Sequence, residues 1–489
     1  MILPEPTVSD RQTIALVRDL CAALNAEQIR YCHWKSNAAL DRSRTAENDL
    51  DLLIARSDSE RFGAVLHRLG LKLAWSPSSS LPGVLNYYGY DEEADRLVHV
   101  HAHFQLIVGD DLTKNYRIPL EAPFLSEATR DGEFFVPPTE LELIMLVIRL
   151  TVKHLSWDAV VARLARIPKD ARAELAWLDE RTDDERIREL LARHLPFVEH
   201  QTFVDCRRAL RKGAGTREGV RAASRLLAEL RPCARRPRSA DVRLKLWRRG
   251  LSILIRFVPY NLPRKRLASG GAVIAIIGAD GAGKTTAVDA LYTWLSKNFA
   301  TTRVHLGRPP HSRTTTLVET ATRARSAIEI LRGRRTRGSG AVYSPAFQAG
   351  LLVTLARDRY LAIRNVRRIA TNGELVICDR WPLPQLSLMD TPRIHRGLGP
   401  DARSPATALS ALEQRFYRAM PDPDTLIVLL VDPEVAVARK REEDPDFVRA
   451  RWEELWTVDW EAAGAHVVDA GRPQEEVLAR LKSLIWSEV

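Results

Sequence analysis

Eight residues, Gly278-Ala-Asp-Gly-Ala-Gly-Lys-Thr285, constrain this chain more than any other stretch. They fit G-x-x-x-x-G-K-[ST], with Thr286 following, and both flanks agree with the motif. Residues 272–277 are a β-branched run without alternation, as in a strand buried on both faces. Residues 285–295 carry helical apolar spacing. A glycine-rich turn at a strand-to-helix junction aims backbone N–H groups and a helix N-terminus at one anion. Gly278, Gly281, Ala282 and Gly283 therefore read as a phosphate cradle. Lys284 reads as the cation reaching the outer phosphates, Thr285 as a hydroxyl holding Mg²⁺, and Thr286 as part of the same binding loop.

The rest of this half fits that commitment. Strand-like runs at 303–306, 374–378, 425–431 and 466–468 are mostly separated by helical stretches, which predicts a parallel sheet with helices on both faces. Ligands of such sheets bind at the carboxyl ends of the strands. Asp379 and Arg380 fall at such an end, the first as a metal-shell carboxylate and the second as a bidentate phosphate clamp. Asp280 lies inside the loop, where a carboxylate beside phosphates needs a purpose: accepting a hydrogen bond from a substrate hydroxyl, or orienting the metal shell.

Composition adds limits. A length of 489 residues suggests about three domains. With 45% hydrophobic and 28% charged residues, the chain is globular rather than disordered. No apolar run approaches the ~20 residues of a spanning helix. The first residues lack a basic leader, and five scattered cysteines contain no C-x-x-C, so a reducing cytoplasm is expected. The net charge of +11 is unevenly spread: −8 over residues 1–200, +15 over 201–270 and +4 beyond. The expected parts are an α+β domain at 1–136, a helical region at 137–230, a basic linker with an amphipathic helix at 231–269 and the α/β domain at 270–489. Thr139 and Glu142 form a capping-box pattern at the start of the helical region.

The loop G-x-D-G-A-G-K-T-T resembles that of the thymidylate kinases, as do the stretches around Arg359, at 372–381 and at 426–439. The similarity spans about 270–489 and implies transfer of the γ-phosphoryl of ATP, with Mg²⁺, to a nucleotide or other small-molecule acceptor. It implies Arg359 at the acceptor's base or head group and Arg380 at its phosphate. Arg308 follows the second strand, where the family carries an arginine motif of a different sequence, His305-Leu-Gly-Arg308-Pro-Pro here. With Gly281 after the loop carboxylate, the resemblance places catalytic arginines in the lid. Arg439 and Arg441 are preferred there over Arg449 and Arg451. Leu355 stands where the family tends to carry an aromatic base platform, and Trp381 replaces a tyrosine. The family also allows a dimer.

The first half resembles the nucleotidyltransferase superfamily, particularly its uncharacterised bacterial members, at Lys35-Ser36-Asn37 and Asp49-Leu-Asp51. The resemblance implies that the turn at Ser36 meets a triphosphate while Asp49 and Asp51 hold metal. Strand residues at i and i+2 do share a face. The third carboxylate of that family is absent from the best matching strand, which carries His99, His101 and His103. These histidines read first as a polar sheet face bordering a cleft, and second as transition-metal ligands.

Leu244, Trp247, Leu251, Leu254, Ile255 and Val258 form a helical apolar stripe surrounded by arginines and lysines. Three readings are open for residues 241–266: peripheral contact with an anionic membrane, a nucleic-acid contact without an accompanying nucleic-acid fold, and a linker helix docked on the kinase-like domain. For the whole chain, kinase chemistry leads. Nucleotidyl transfer by the first half and a non-catalytic nucleotide-gated switch are the alternatives.

Overall fold

A computed structural model describes residues 12–77, 81–161, 166–213, 216–256, 264–307, 309–310, 312–318, 320–321, 345–397, 405–439 and 445–489. The chain divides into two compact units, residues 1–263 and 264–489. The division falls within the basic stretch expected to be a linker.

In the first unit, helix α1 (Ala15–Ala26) precedes strands β1 (Tyr31–His33) and β2 (Leu50–Ile54). Helix α2 (Ser59–Arg68) leads to β3 (Lys72–Trp75), β4 (Val84–Asp91) and β5 (Arg96–His103). Within this unit the strands lie in the order β1-β2-β5-β4-β3, and only β2 and β5 run parallel. The register sets Asp51 opposite His101, and Asn86 opposite His101 on the other side. The eight-residue β4 has no sequence-level forecast: Asn86-Tyr-Tyr-Gly-Tyr90 lacks a clean alternation. Helices α3 (Thr139–Leu150), α4 (Lys169–Asp179), α5 (Asp184–His194), α6 (His200–Lys212) and α7 (Arg217–Glu229) follow. They share one core with residues of the strand region, including Cys32, Trp34 and Leu53.

The capping box at α3 does not form. Pro138 takes the cap position and Thr139 Oγ1 donates to the Arg181 carbonyl. Glu142 turns inward to accept from Asn37 N at 3.0 Å and Asn37 Nδ2 at 2.9 Å. A partner for two buried donors outweighs one cap hydrogen bond.

Helix α8 (Arg238–Arg256) closes the first unit, with Lys245 buried and Trp247 and Leu251 of its apolar stripe exposed. Lys245 is buried between Asp241 at 2.8 Å and Asp158 at 3.2 Å, and Arg249 pairs with Asp110 at 2.6 Å. Trp247 remains 70% exposed and Leu251 43%. Buried acids on the unit decide the roll of the helix, since a buried charge demands a partner. The side chains of Leu254, Ile255 and Val258 lie outside the described residues.

In the second unit, β6 (Val273–Ile277) leads through the glycine loop into α9 (Lys284–Ser296). Strand β7 (Thr301–His305), helix α10 (Pro345–Thr371), β8 (Leu375–Asp379), α11 (Pro405–Arg418) and β9 (Thr425–Leu430) come next. Helices α12 (Pro433–Arg439) and α13 (Pro445–Thr457), strand β10 (His466–Asp469) and helix α14 (Gln474–Glu488) complete it. All five strands are parallel, in the order β7-β8-β6-β9-β10. β6 is central and fully buried, as its β-branched run predicts. The order changes direction at β6, so the loop that follows it opens into the crevice between β8 and β9.

Candidate functional site

The glycine loop has the conformation its sequence requires. Gly281 and Gly283 take φ of 91° and 80°. At Gly278 a Cβ would lie 2.8 Å from the Leu429 carbonyl oxygen, so only glycine lets the loop pass β9 this closely. Lys284 is buried, and its ammonium donates to the Ala279 carbonyl at 2.8 Å, which folds the side chain back over the loop. Thr285 and Thr286 are exposed at the N-terminus of α9.

Asp280 is the hub of the site. One carboxylate oxygen accepts from Arg380 at 3.1 Å and the other pairs with Arg451, while its carbonyl accepts from Trp452 Nε1 at 3.2 Å. Both carboxylate oxygens therefore hold arginines over the loop. Arg380 adopts φ of 70°, with its N–H bonded to the Ile276 carbonyl, which turns its side chain toward Asp280. Register brings Asp379 beside Ile276 and His305. His305 Nδ1 lies 3.0 Å from Asp379 Oδ2, whereas the buried Oδ1 has no hydrogen-bond partner. A buried carboxylate oxygen left open beside Thr285's loop is a fitting donor for Mg²⁺ or one of its waters.

The lid arginines separate. Arg451, on α13, is the one at Asp280. Arg449 is occupied by Glu434 and Asp446 away from the loop. Arg439 reaches the Gly281 carbonyl at 3.3 Å and the Ala470 carbonyl at 3.4 Å. It lines a cavity of about 180 Å³ with Gly283, Thr286, Arg472 and Gln474. Arg451 is thus the lid arginine paired with the loop carboxylate, while Arg439 meets the loop backbone. Arg308 and Arg441 lie outside the described residues. Arg472 and Gln474 have no motif to mark them; only the return of β10 beside β9 brings them to the loop.

On the acceptor side, Arg359 is buried and each of its three guanidinium nitrogens has a partner. It donates to the Leu306 carbonyl at 3.0 Å, meets the Tyr417 hydroxyl and pairs with Asp390 at 2.8 Å. Asp390 also lies 3.6 Å from Arg380. One internal carboxylate thus spans the two arginines that the resemblance assigns to an acceptor. The cavity beside them, about 610 Å³, is lined by Pro382, Leu386, Thr391, His395, Gln414 and Tyr417. Burial pushes the Tyr417 hydroxyl pKa up against the opposing pull of Arg359.

The first unit holds a second constellation. Ser36 stands at φ 62°, in the left-handed region. Its donors are already taken: Ser36 N donates to Glu174 at 3.1 Å and Asn37 N to Glu142. Two carboxylates where phosphates would bind argue against nucleotidyl transfer. Asp49 pairs with His99 at 2.8 Å. Asp51 is met by Lys35 at 2.8 Å and His101 at 3.1 Å. Burial would raise the Asp51 pKa, but Lys35, His101 and His103 together hold it well below the carboxylate range. Burial drives His103 down to about 3, so its imidazole is neutral. Lys35, Ser36, Asp49 and Asp51 line a cavity of about 630 Å³. Each of the two acids thus has its own histidine partner, His99 for Asp49 and His101 for Asp51.

No family model matches the chain. The uncharacterised ATP-binding protein YghR of Escherichia coli K12 is 26% identical over 223 residues, covering 44% of this chain and 86% of the relative. YghR of E. coli O6:H1 strain CFT073 matches to the same extent. Among solved structures, thymidylate kinase from Candida albicans is 19% identical, covering 44% of this chain and 91% of that one, with a TM-score of 0.28. No helix of the described residues is long and apolar enough to cross a membrane.

Proposed function

We propose that residues 264–489 are an ATP- and Mg²⁺-dependent phosphotransferase acting on a small-molecule acceptor. The observation that carries this reading is the Asp280 hub. A phosphate-binding loop alone would serve a switch, but Arg380 and Arg451 tied to the loop carboxylate bring two further cations to the cradle. Cations gathered at a phosphate site stabilise the charge that spreads over a transferring phosphoryl group. The ATP-binding description of the YghR relatives also supports nucleotide binding.

In this reading the loop N–H groups and Lys284 bind the β- and γ-phosphates, and the ammonium leaves Ala279 when phosphate arrives. Thr285 and the open oxygen of Asp379 would hold Mg²⁺, which would supply charge neutralisation for the outer phosphates. Asp280 positions Arg380 and Arg451. Arg439, Arg472 and Gln474 border the cavity suited to the nucleotide base. Phosphoryl transfer by such a site is positioning and electrostatics, with little covalent work for the protein.

Asp390 bears on the acceptor. A phosphorylated acceptor has to displace it from Arg359 and Arg380, whereas a neutral hydroxyl compound does not. Release of ADP with purified protein, screened across nucleoside monophosphates, nucleosides and sugars, tests the reading. ADP formation that depends on one acceptor and vanishes in Lys284→Ala supports a kinase. Tight ATP binding with no acceptor phosphorylated supports the switch instead.

A further inference from the structure

We infer that the first unit binds one first-row transition-metal ion through Asp51 Oδ1, His101 Nδ1 and His103 Nε2. Two strands build this cluster: Asp51 on β2 faces His101 across the parallel register, and His103 follows two residues on along β5. The three ligand atoms form a closed triangle. Its sides are 3.1 Å from Asp51 to His101, 3.2 Å between the histidines and 3.6 Å from His103 to Asp51. Metal–ligand bonds near ~2.05 Å in tetrahedral geometry set ligand atoms about 3.3 Å apart, which the triangle matches on average. Among the described residues, this is the one group of three or more such side chains close enough to share an ion.

The donor set selects the metal class. Two imidazoles and one carboxylate suit Zn²⁺, Co²⁺, Mn²⁺ or Fe²⁺, whereas Mg²⁺ prefers oxygen. The paired-acid arrangement implied by the nucleotidyltransferase resemblance is different, because here Asp49 is drawn away. Its carboxylate belongs to His99, whose ring stacks on Tyr88 at 4.4 Å and whose Nε2 lies 3.0 Å from Asn86. His99 and Asp49 therefore stand outside the triangle.

Lys35 supplies the competing charge. Its ammonium lies 2.8 Å from the same Asp51 oxygen, and both residues line the large cavity of this unit. Metal entry requires Lys35 to give up that contact, and the Trp34 ring, 5.1 Å away, offers it a cation–π seat nearby. The cluster thus has a built-in antagonist, and removing it should tighten metal binding. A merely structural Asp–His network predicts no such gain.

The test uses the full chain, stripped with a chelator and free of nucleotide. Titration with Co²⁺, followed by its visible d–d bands, should show one equivalent bound, displaced by Zn²⁺. His101→Ala and His103→Gln should each weaken binding at least tenfold, Lys35→Met should tighten it, and Asp49→Asn should leave the band shape unchanged. Thermal melts of each variant separate lost folding from lost binding, and His101, the more exposed histidine, provides the safer variant. Absence of a band in the wild type overturns the inference, as does a band that both histidine variants retain.

Discussion

Replacing Asp390 by asparagine separates the two acceptor classes. The wild-type carboxylate accepts from Arg359 at 2.8 Å and faces Arg380 at 3.6 Å, with the Arg359 and Asp390 side chains 9% and 12% exposed. Asparagine keeps the shape and one acceptor oxygen but removes the charge. The remaining amide oxygen still accepts from the cationic guanidinium, but the counter-charge is lost, and the internal plug weakens by about 1.5 kcal/mol, on the order of one charge-assisted hydrogen bond. That difference becomes about tenfold tighter binding for any acceptor whose phosphate must displace the side chain. Folding stability should fall by a similar amount, because Arg359 keeps Leu306 and Tyr417 but loses its counter-charge. The assay is calorimetric titration of ADP-saturated protein with phosphomonoesters, namely nucleoside monophosphates and sugar phosphates, beside their dephosphorylated counterparts. The expected result is a gain confined to the phosphorylated set. An equal change in both sets, or none in either, refutes displacement of Asp390 by acceptor phosphate.

Lys284→Ala should lower ATP turnover by 10²-fold or more, on the order of one lost transition-state donor, as read by coupled ADP release. Arg451→Ala should depress kcat through the loosened Asp280 hub, while Arg439→Ala should act mainly on the KM for ATP; equal effects on both constants would merge the two roles. Burial raises the Glu142 pKa to about 7 from an ordinary 4.5, and Asn37 opposes the rise. A raised carboxyl contributes stability that is present below pH 4.5 and lost as pH climbs through 7, a swing on the order of 3 kcal/mol. Urea midpoints of the full chain should therefore decline across that window, and Glu142→Gln should flatten the decline. Flotation with anionic vesicles should drop in Trp247→Ser/Leu251→Ser if the exposed face of α8 meets membrane, and equal flotation removes that reading.

The glycine loop and its sheet were legible because short-range sequence specifies them. A β-branched strand, a turn that only glycine can take and a helix start are local facts, and their junction fixes where phosphate would go. Asp379 and Arg380 were legible for the same reason, lying at the end of a strand that must pair with β6. The pairing of Arg451 with Asp280, and the places of Arg472 and Asp390, were not. Asp390 lies 31 residues from Arg359 and Arg451 lies 171 from Asp280, while Arg472 meets the loop's cavity from the far end of the chain, where no local pattern records the partner. Helix α8 shows the converse: its apolar periodicity is plain in sequence, but the buried acids Asp110 and Asp158 that set its roll are far away.

The first unit carries this point into function. Its turn at Ser36 and its two acids, Asp49 and Asp51, are the local features on which the nucleotidyltransferase resemblance rests. What redirects them is supplied from elsewhere. Glu142 and Glu174, on helices more than 100 residues downstream, occupy the turn's N–H groups, and β5 contributes imidazoles where a third carboxylate would stand. A triphosphate would bring further negative charge against two carboxylates, one of them already destabilised by burial. A cation entering at Asp51 meets a carboxylate and the ring nitrogens of His101 and His103, with Lys35 to move. The same backbone scaffold therefore disfavours an anion at the turn and favours a cation two strands away, so changing Glu142 and Glu174 to glutamine should admit phosphate at Ser36 without altering Co²⁺ uptake. Loss of the Co²⁺ signal in that double variant would show the two places to be one site.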